Sequence, residues 1–346
     1  ALLSKFVCAR ITSMAGVDLA RYRFDYDLTF CCLLMHADGT CYHVYGGRDA
    51  THAESHLSLA SLTSVLRRAL DEHAAYSKAP KPPALTPRRV VEDSPAFQRK
   101  KKQDCVHCHT VHDVAYEDAL EAGTWSRDDI WRYPDPIEIG LRLGRDDQTR
   151  IAHVEAPAAR AGLAVDDRVV AIDGTPVATF GDVQAALHAA PGGRHALVVS
   201  IERRVDGAGP PDRKDVTLPL ARGWKAADPA VFAWRPSKWP LSPKPGFGGR
   251  PLDAAEKQAL GIPADTFAFR VGYVVTWGPN AHTGRNARKA GIRKDDVVYD
   301  LCGKRDFESM DHFHAWFRLT RTPGETCALK RVRDGKHETL RLTVVD

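Results

Sequence analysis

Two stretches, "AARAGLAVDDRVVAIDG" (158–174) and "NARKAGIRKDDVVYDLCG" (286–303), repeat one pattern. In each, an Ala-Gly step ends a short helix, two aspartates stand before an apolar strand, and a glycine sits in the turn that follows. Glycine is the residue that most readily takes the left-handed conformation closing a helix. Working outward, residues 137–203 read as strand, strand, short helix, strand, turn and helix, and residues 246–319 repeat that layout.

The shared layout closely resembles that of PDZ domains. The second copy also resembles the PDZ domains of high-temperature-requirement type periplasmic proteases, through "FGGRPLDAAEKQALGI" (247–262). The resemblance implies a fold that takes up a peptide as an added strand, with the peptide carboxylate on backbone N–H groups of the loop before the second strand. That loop maps to Ile139, Gly140 and Leu141 in the first copy, and to Phe247, Gly248 and Gly249 in the second. No Gly-x-Ser-x-Gly or HExxH setting accompanies them, so a protease reading is set aside for this chain.

Two proline-dense breaks flank the first copy. Ser77–Lys102 combines "KAPKPPALTPRR" with "FQRKKKQ" and reads as an extended, solvated linker. The second, from Lys225 to Gly249, carries Phe232, Trp234 and Trp239 and is expected to pack against a domain. Before the first break, "FVCARIT" (6–12) alternates like a strand, and "VDLARYRFD" (17–25) reads as a short helix. "LTFCCLLM" (28–35) and "TCYHVYG" (40–46) read as a hairpin about Asp38-Gly39. An amphipathic helix follows the cap at Ser58, with Leu59, Leu62, Val65, Leu66 and Leu70 on one face.

This order is similar to the second half of a thioredoxin-like domain, with Gly46 and Gly47 at its closing position. The family's redox CxxC would lie upstream of Ala1, and Leu28 stands where its cis-proline is expected. The chain begins at Ala1 with neither an initiator Met nor a signal peptide, so a preceding segment is expected to have been removed or left unrecorded.

Between these regions lies "CVHCHTVHD" (105–113). Cys105, Cys108 and His109 fit the CxxCH pattern of c-type haem attachment: two thiols on one turn bond the haem edge, and the next histidine reaches the iron. Candidate ligands for the far side of the iron are Met310, His312 and His314, or Met35, His36 and His43; His112 is near but sterically awkward. The alternative is zinc on Cys105, Cys108, His109 and His112, with His107 spare. Cys31, Cys32 and Cys41 could add a soft-metal site or a cross-strand disulfide, against ordinary core packing.

The expected fold class is therefore α+β multidomain: a partial thioredoxin-like α/β domain followed by two PDZ-like, partly open β-barrels. The expected divisions are 1–76 (thioredoxin-like half), 77–136 (linker and haem-attachment segment), 137–222 (first PDZ-like domain), 223–245 (connector) and 246–346 (second PDZ-like domain). This layout resembles exported multidomain proteins of planctomycete-type bacteria.

The 346 residues carry a net charge of +5, with Lys and Arg interspersed among Asp and Glu, which gives little support to nucleic-acid binding. No apolar run approaches the roughly 20 residues of a membrane span. The expectation is an exported, periplasmic-type mono-haem redox protein that docks a protein or peptide partner through its PDZ folds, with a redox partner and with homo-oligomer formation left open. Two alternatives stand beside it: a non-enzymatic PDZ scaffold with structural zinc, and a thiol-disulfide oxidoreductase whose active site lies upstream.

Overall fold

The computed structural model describes residues 2–84, 86–100, 105–204 and 210–346. They form two compact units, 1–227 and 228–346. Among the described residues no helix is long and apolar enough to cross a membrane.

The first unit opens with the antiparallel hairpin of β1 (Cys32–Met35) and β2 (Cys41–Tyr45). Gly39 closes the turn at a φ of 98°, as the Asp-Gly pair predicted. α1 (Leu59–Tyr76) follows, and Ser58 caps it by accepting the Ser61 amide. Its stripe of Val65, Leu66 and Ala69 packs on Leu34 and Tyr45 of the hairpin.

Two expected elements are not formed. Residues 6–12 alternate in sequence, but β1 and β2 form a sheet of their own and give them no partner strand, and Val7 and Ile11 stay exposed. Residues 17–25 run in turns, because the Asp18 carboxylate accepts the amides of Ala20 and Arg89 and so competes with a helix.

The stretch read as a solvated linker lacks regular structure over 78–84 and 86–90, then packs from Val91 onward. Ser94 caps α2 (Pro95–Arg99), with proline at its first position. α3 (Cys108–Glu121) lies against α2, and its Asp118 accepts the Ala96 amide. Together they enclose a small core of Met14, Val91, Ala96, Val106, Val111 and Val114. Lys101, Lys102 and Gln103 of the basic cluster lie outside the described residues.

The rest of the first unit comprises β3 (Leu141–Leu143), β4 (Ile151–Val154), α4 (Ala158–Ala161), β5 (Arg168–Ile172), β6 (Thr175–Pro176), α5 (Phe180–Ala189), β7 (His195–Arg203) and β8 (Asp212–Leu220). β3 pairs with β4, and a second sheet runs β6-β5-β7-β8. Ile139, Ile151, Ile172, Leu187, Leu197 and Ile201 form the fully buried centre.

The second unit holds α6 (Pro229–Phe232), β9 (Phe247–Pro251), α7 (Ala254–Ala259), β10 (Ala268–Val274), α8 (Ala281–Lys289), β11 (Val297–Tyr299), α9 (Met310–Thr320), β12 (Thr326–Arg333) and β13 (Lys336–Thr343). Its strands form one antiparallel sheet in the order β13-β12-β11-β10-β9. Phe247, Phe269, Phe313 and Phe317 fill the core. Cys302 and Cys327 are joined as a disulfide, with Cα atoms 4.9 Å apart. The aromatic connector packs as expected: Phe232 is buried, and α6 lies on α9.

Each unit contains, within itself, the same hydrogen-bond frame. Ile151 and Val271 donate to the carbonyls of Asp167 and Asp296 at 2.9 and 2.8 Å. Their own carbonyls accept from Asp166 and Asp295. The Asp167 and Asp296 carboxylates, almost fully buried, each take both arms of an arginine arriving 36 or 37 residues later, Arg203 and Arg333. Those arginines also donate to the helix-closing glycine carbonyls, Gly162 at 2.8 Å and Gly291 at 2.9 Å. The "DD" of the repeated motif is thus a turn residue followed by a buried aspartate that anchors a bidentate ion pair to a partly exposed arginine.

Candidate functional site

In each unit one helix of the repeated layout meets an aromatic side chain from the segment before the unit's first strand of that layout. Thr179 caps α5 and Ser309 caps α9. Four and eight residues into each helix from its first position lie Gln184 and His188, and His314 and Arg318. On α5, Gln184 donates to the Tyr133 carbonyl at 3.1 Å, and the Tyr133 ring stacks on His188 at 4.4 Å. On α9, the Trp239 ring meets His314 at 5.1 Å and lies 5.1 Å from the Arg318 guanidinium carbon. Tyr133 precedes the start of β3 at Leu141 by as many residues as Trp239 precedes the start of β9 at Phe247. Sequence reading placed Trp239 in the proline-dense connector and did not single out Tyr133; only the fold shows that they occupy equivalent positions.

The predicted peptide loops sit at the starts of β3 and β9, each an edge strand paired on one side. Gly140 closes a 3-10 turn at a φ of 81°, and its N–H is committed to the Ile137 carbonyl at 2.8 Å. Leu141 and Phe247 turn their side chains into the cores. Gly248 leaves room for its neighbours: an added Cβ would collide with the Tyr273 hydroxyl and lie 3.1 Å from His314 Nε2. The Gly249 position would drive a Cβ into the Arg270 carbonyl, so only glycine fits there. β9 therefore offers a bare backbone edge next to α9.

In the first unit the β1–β2 hairpin docks on the N-terminus of α5. Val44 donates to Asp182 Oδ1 at 2.8 Å, and Thr179 Oγ1 donates to the Val44 carbonyl at 2.5 Å. His43, 2% exposed, hydrogen-bonds Asp182 Oδ2 through Nδ1 at 2.7 Å. Its Nε2 lies 2.9 Å from Glu72 Oε2, an ion pair without hydrogen-bond geometry. Burial alone would lower its pKa, but the two carboxylates outweigh that and raise it to about 9. His56 stacks on Phe180 at 3.5 Å, and its burial pushes its pKa down to about 4.

Both nitrogens of His43, a candidate iron ligand from the sequence, thus face carboxylates. His36 turns Nδ1 to Asp38 at 3.0 Å, and Met35 pairs opposite Cys41 in the hairpin. Met310, His312 and His314 belong to the second unit. There Met310 packs on the core, and His312 Nδ1 accepts the Glu308 amide. His314 is buried against Arg318 and held down to about 3, first by burial and then by the nearby cations.

The CxxCH motif straddles the start of α3: Cys105 is exposed, Cys108 is the first helical residue, and Val106 is a core anchor. His109 is 44% exposed, with Nδ1 3.6 Å from Asp113 Oδ2. His112 points elsewhere, into the interior, which dissolves the four-ligand zinc set. Arg132 Nη1 lies 2.5 Å from its Nδ1, and an arginine can only donate, so the ring proton resides on Nε2, facing Asp25 at 4.0 Å. Asp25, Asp27 and His112 form the one His/Cys/Asp/Glu group among the described residues whose ligand atoms gather within 4.8 Å. Asp25 and Asp27 also act on the Arg132 guanidinium, opposing the lowering of its pKa by burial.

The thiols at Cys31, Cys32 and Cys41 are free. Cys32 pairs opposite Tyr45 and Cys41 opposite Met35, so the cysteines stand at opposite ends of the hairpin and no cross-strand disulfide forms. Burial raises all three thiols, Cys41 to about 12, and also raises Cys108. At Cys31, Cys32 and Cys41 a raised thiol is a poor nucleophile, although Cys31 and Cys32 are half-buried and Cys41 is exposed.

A family model described as "PDZ domain" matches residues 152–200, so the first unit contains a PDZ domain. Among solved structures, an HtrA-type protease, AlgW, in a complex with a decapeptide, is similar over 43% of this chain and 44% of its own, at 14% identity and a TM-score of 0.24. The chain thus spans less than half the length of that protein. No curated protein matches the sequence.

Proposed function

We propose that the chain is a docking protein with two PDZ folds, which takes up the C-terminal segment of a partner protein and presents a covalently attached c-type haem. The observation that carries the docking role is β9: an edge strand with bare glycine backbone beside α9, suited to receiving an added strand. The shared aspartate-arginine frame supports reading the second unit as a second PDZ fold. The commitment of the Gly140 amide favours the second unit as the peptide site. The thioredoxin-like reading of the N-terminal region rests on the β1–β2 hairpin and α1 alone.

The donor chemistry of the CxxCH segment fits haem better than zinc. Cys105, Cys108 and His109 do not converge within 4.8 Å, whereas a zinc ion needs thiolates at about 2.3 Å around one point. Thiols spaced along a helix start suit a wide, flat group bonded at two edges. In such a site Cys105 and Cys108 would hold the haem, and His109, its Nδ1 turned to Asp113, would offer Nε2 to the iron. The haem would supply one-electron transfer. Thioether attachment implies an oxidising compartment, with which the Cys302–Cys327 disulfide agrees.

Fluorescence anisotropy with a labelled peptide ending in an apolar residue and a free carboxylate tests the docking role. Binding is expected, with loss of affinity for the C-terminal amide; equal binding of both, or of neither, refutes it. Reduced-minus-oxidised spectra after acid-acetone extraction test the haem, which should stay with the protein. Haem leaving with the solvent, or zinc without iron by metal analysis, refutes that part.

A further inference from the structure

The second unit carries a surface pocket whose chemistry its own frame does not need. The pocket has a volume of about 640 Å³ and is lined by Tyr273, Val274, Trp277, Arg288, Arg293 and Lys294. Tyr273 and Trp277 are 39% and 60% exposed, with ring centroids 6.2 Å apart. The three cations are exposed, no carboxylate lines the pocket with them, and among the described residues none of the three is held in an ion pair.

The first unit supplies an internal control. Aligned on the shared amide frame, Tyr273 corresponds to His153, Arg288 to Ala159, Arg293 to Ala164 and Lys294 to Val165. The same helix-turn-strand frame therefore folds with alanine and valine where the second unit places three like charges. Like charges gathered without partners repel one another, so folding does not account for them. Exposed aromatics beside arginines are the composition of protein-binding surfaces.

We propose that this pocket docks an acidic segment of a partner protein. An apolar or aromatic side chain sits against Tyr273 and Trp277, and flanking carboxylates meet Arg288, Arg293 and Lys294. The cations come from two elements, the last turn of α8 and the loop before β11, which suits charge spread along a chain. A compact phosphate is less well served, because α8 contributes its C-terminal end, the negative end of the helix dipole, in place of N-terminal amides. The site uses side chains, not a strand edge; Tyr273 also borders Gly248 of β9, and a probe without a free carboxylate tells the two readings apart.

The test is anisotropy of the full chain with a labelled Glu-Glu-Phe-Glu-Glu peptide, acetylated and amidated so that it has no free terminus. Binding is expected, weakening as salt rises. A Gln-Gln-Phe-Gln-Gln peptide should bind at least about tenfold more weakly, and so should the acidic peptide to the Arg288→Ala, Arg293→Ala, Lys294→Ala variant, whose surface changes leave its thermal melt unaltered. Trp277→Phe should remove a ligand-induced quench of tryptophan emission. No binding of the acidic peptide, equal binding of the glutamine peptide, or full binding by the triple variant overturns the proposal. Displacement by inorganic phosphate at matched ionic strength overturns it in favour of a small-anion site.

Discussion

Replacing His43 by glutamine removes the charged ring that ties β2 to α1 and α5. The imidazole is buried between Asp182 and Glu72, and its pKa rises from 6.5 to about 9. At about 1.4 kcal/mol per pH unit, that interval corresponds to about 3 kcal/mol of stability. Glu72 is 35% exposed, and solvent screening brings the expected figure to about 2 kcal/mol. The folded value lies above the unfolded one, so the contribution is complete below pH 6.5 and is lost as pH climbs through about 9. Hydrogen exchange by mass spectrometry, read on peptides of the first unit, isolates that unit from the second. The wild-type advantage over His43→Gln should shrink by about 2 kcal/mol across that window. Because the quantity is a difference between two proteins, other titrating groups largely cancel. A constant advantage across pH, or a His43 ring proton titrating near 6.5 by NMR, would refute the reasoning.

Asp296→Asn leaves Arg333 facing a neutral partner and should destabilise the second unit by about 3 kcal/mol in urea unfolding; Asp167→Asn should do the same to the first through Arg203. Gly181→Ala drives a methyl group into the Val44 carbonyl, so the β1–β2 hairpin should loosen from α5 at a cost of about 2 kcal/mol, seen as faster amide exchange in β2. Cys302→Ser with Cys327→Ser should lower the stability of the second unit by about 3 kcal/mol, while the wild type should fall to the same level under reductant. Cys108→Ser should leave haem attached at one edge only, giving a shifted pyridine haemochrome band; an unshifted band would contradict the attachment proposed there.

The repeated "AGLAVDD" and "AGIRKDD" segments were legible because their chemistry is local: a glycine closes the helix, and the following residues, Asp166 and Asp295, take the turn at φ values of 73° and 70°. The purpose of the second aspartate was hidden, since its arginine lies a whole strand pair away. His43 and Asp182 are 139 residues apart, and neither has a local signal that names the other. Alternation at 6–12 misled because it records only that a segment could be half-buried; a strand also requires a neighbour, which the β1–β2 sheet does not supply. The cysteines behaved likewise, with pairing at Cys302 and Cys327 set by backbone proximity and the hairpin thiols kept apart by register. In the CxxCH segment, spacing alone picks out His109 as the motif histidine; what it could not show is that His112 is buried beside Arg132.

The docking role stands on the edge of β9. Backbone amide shifts and exchange rates of the full chain, recorded with and without a free-carboxylate peptide, read that edge residue by residue. The account predicts slowed exchange and shifted amides across Phe247–Pro251 and along α9, with β13 at the far edge unchanged. Unchanged amides along β9 in the presence of bound peptide, or equal changes with the amidated peptide, would contradict it.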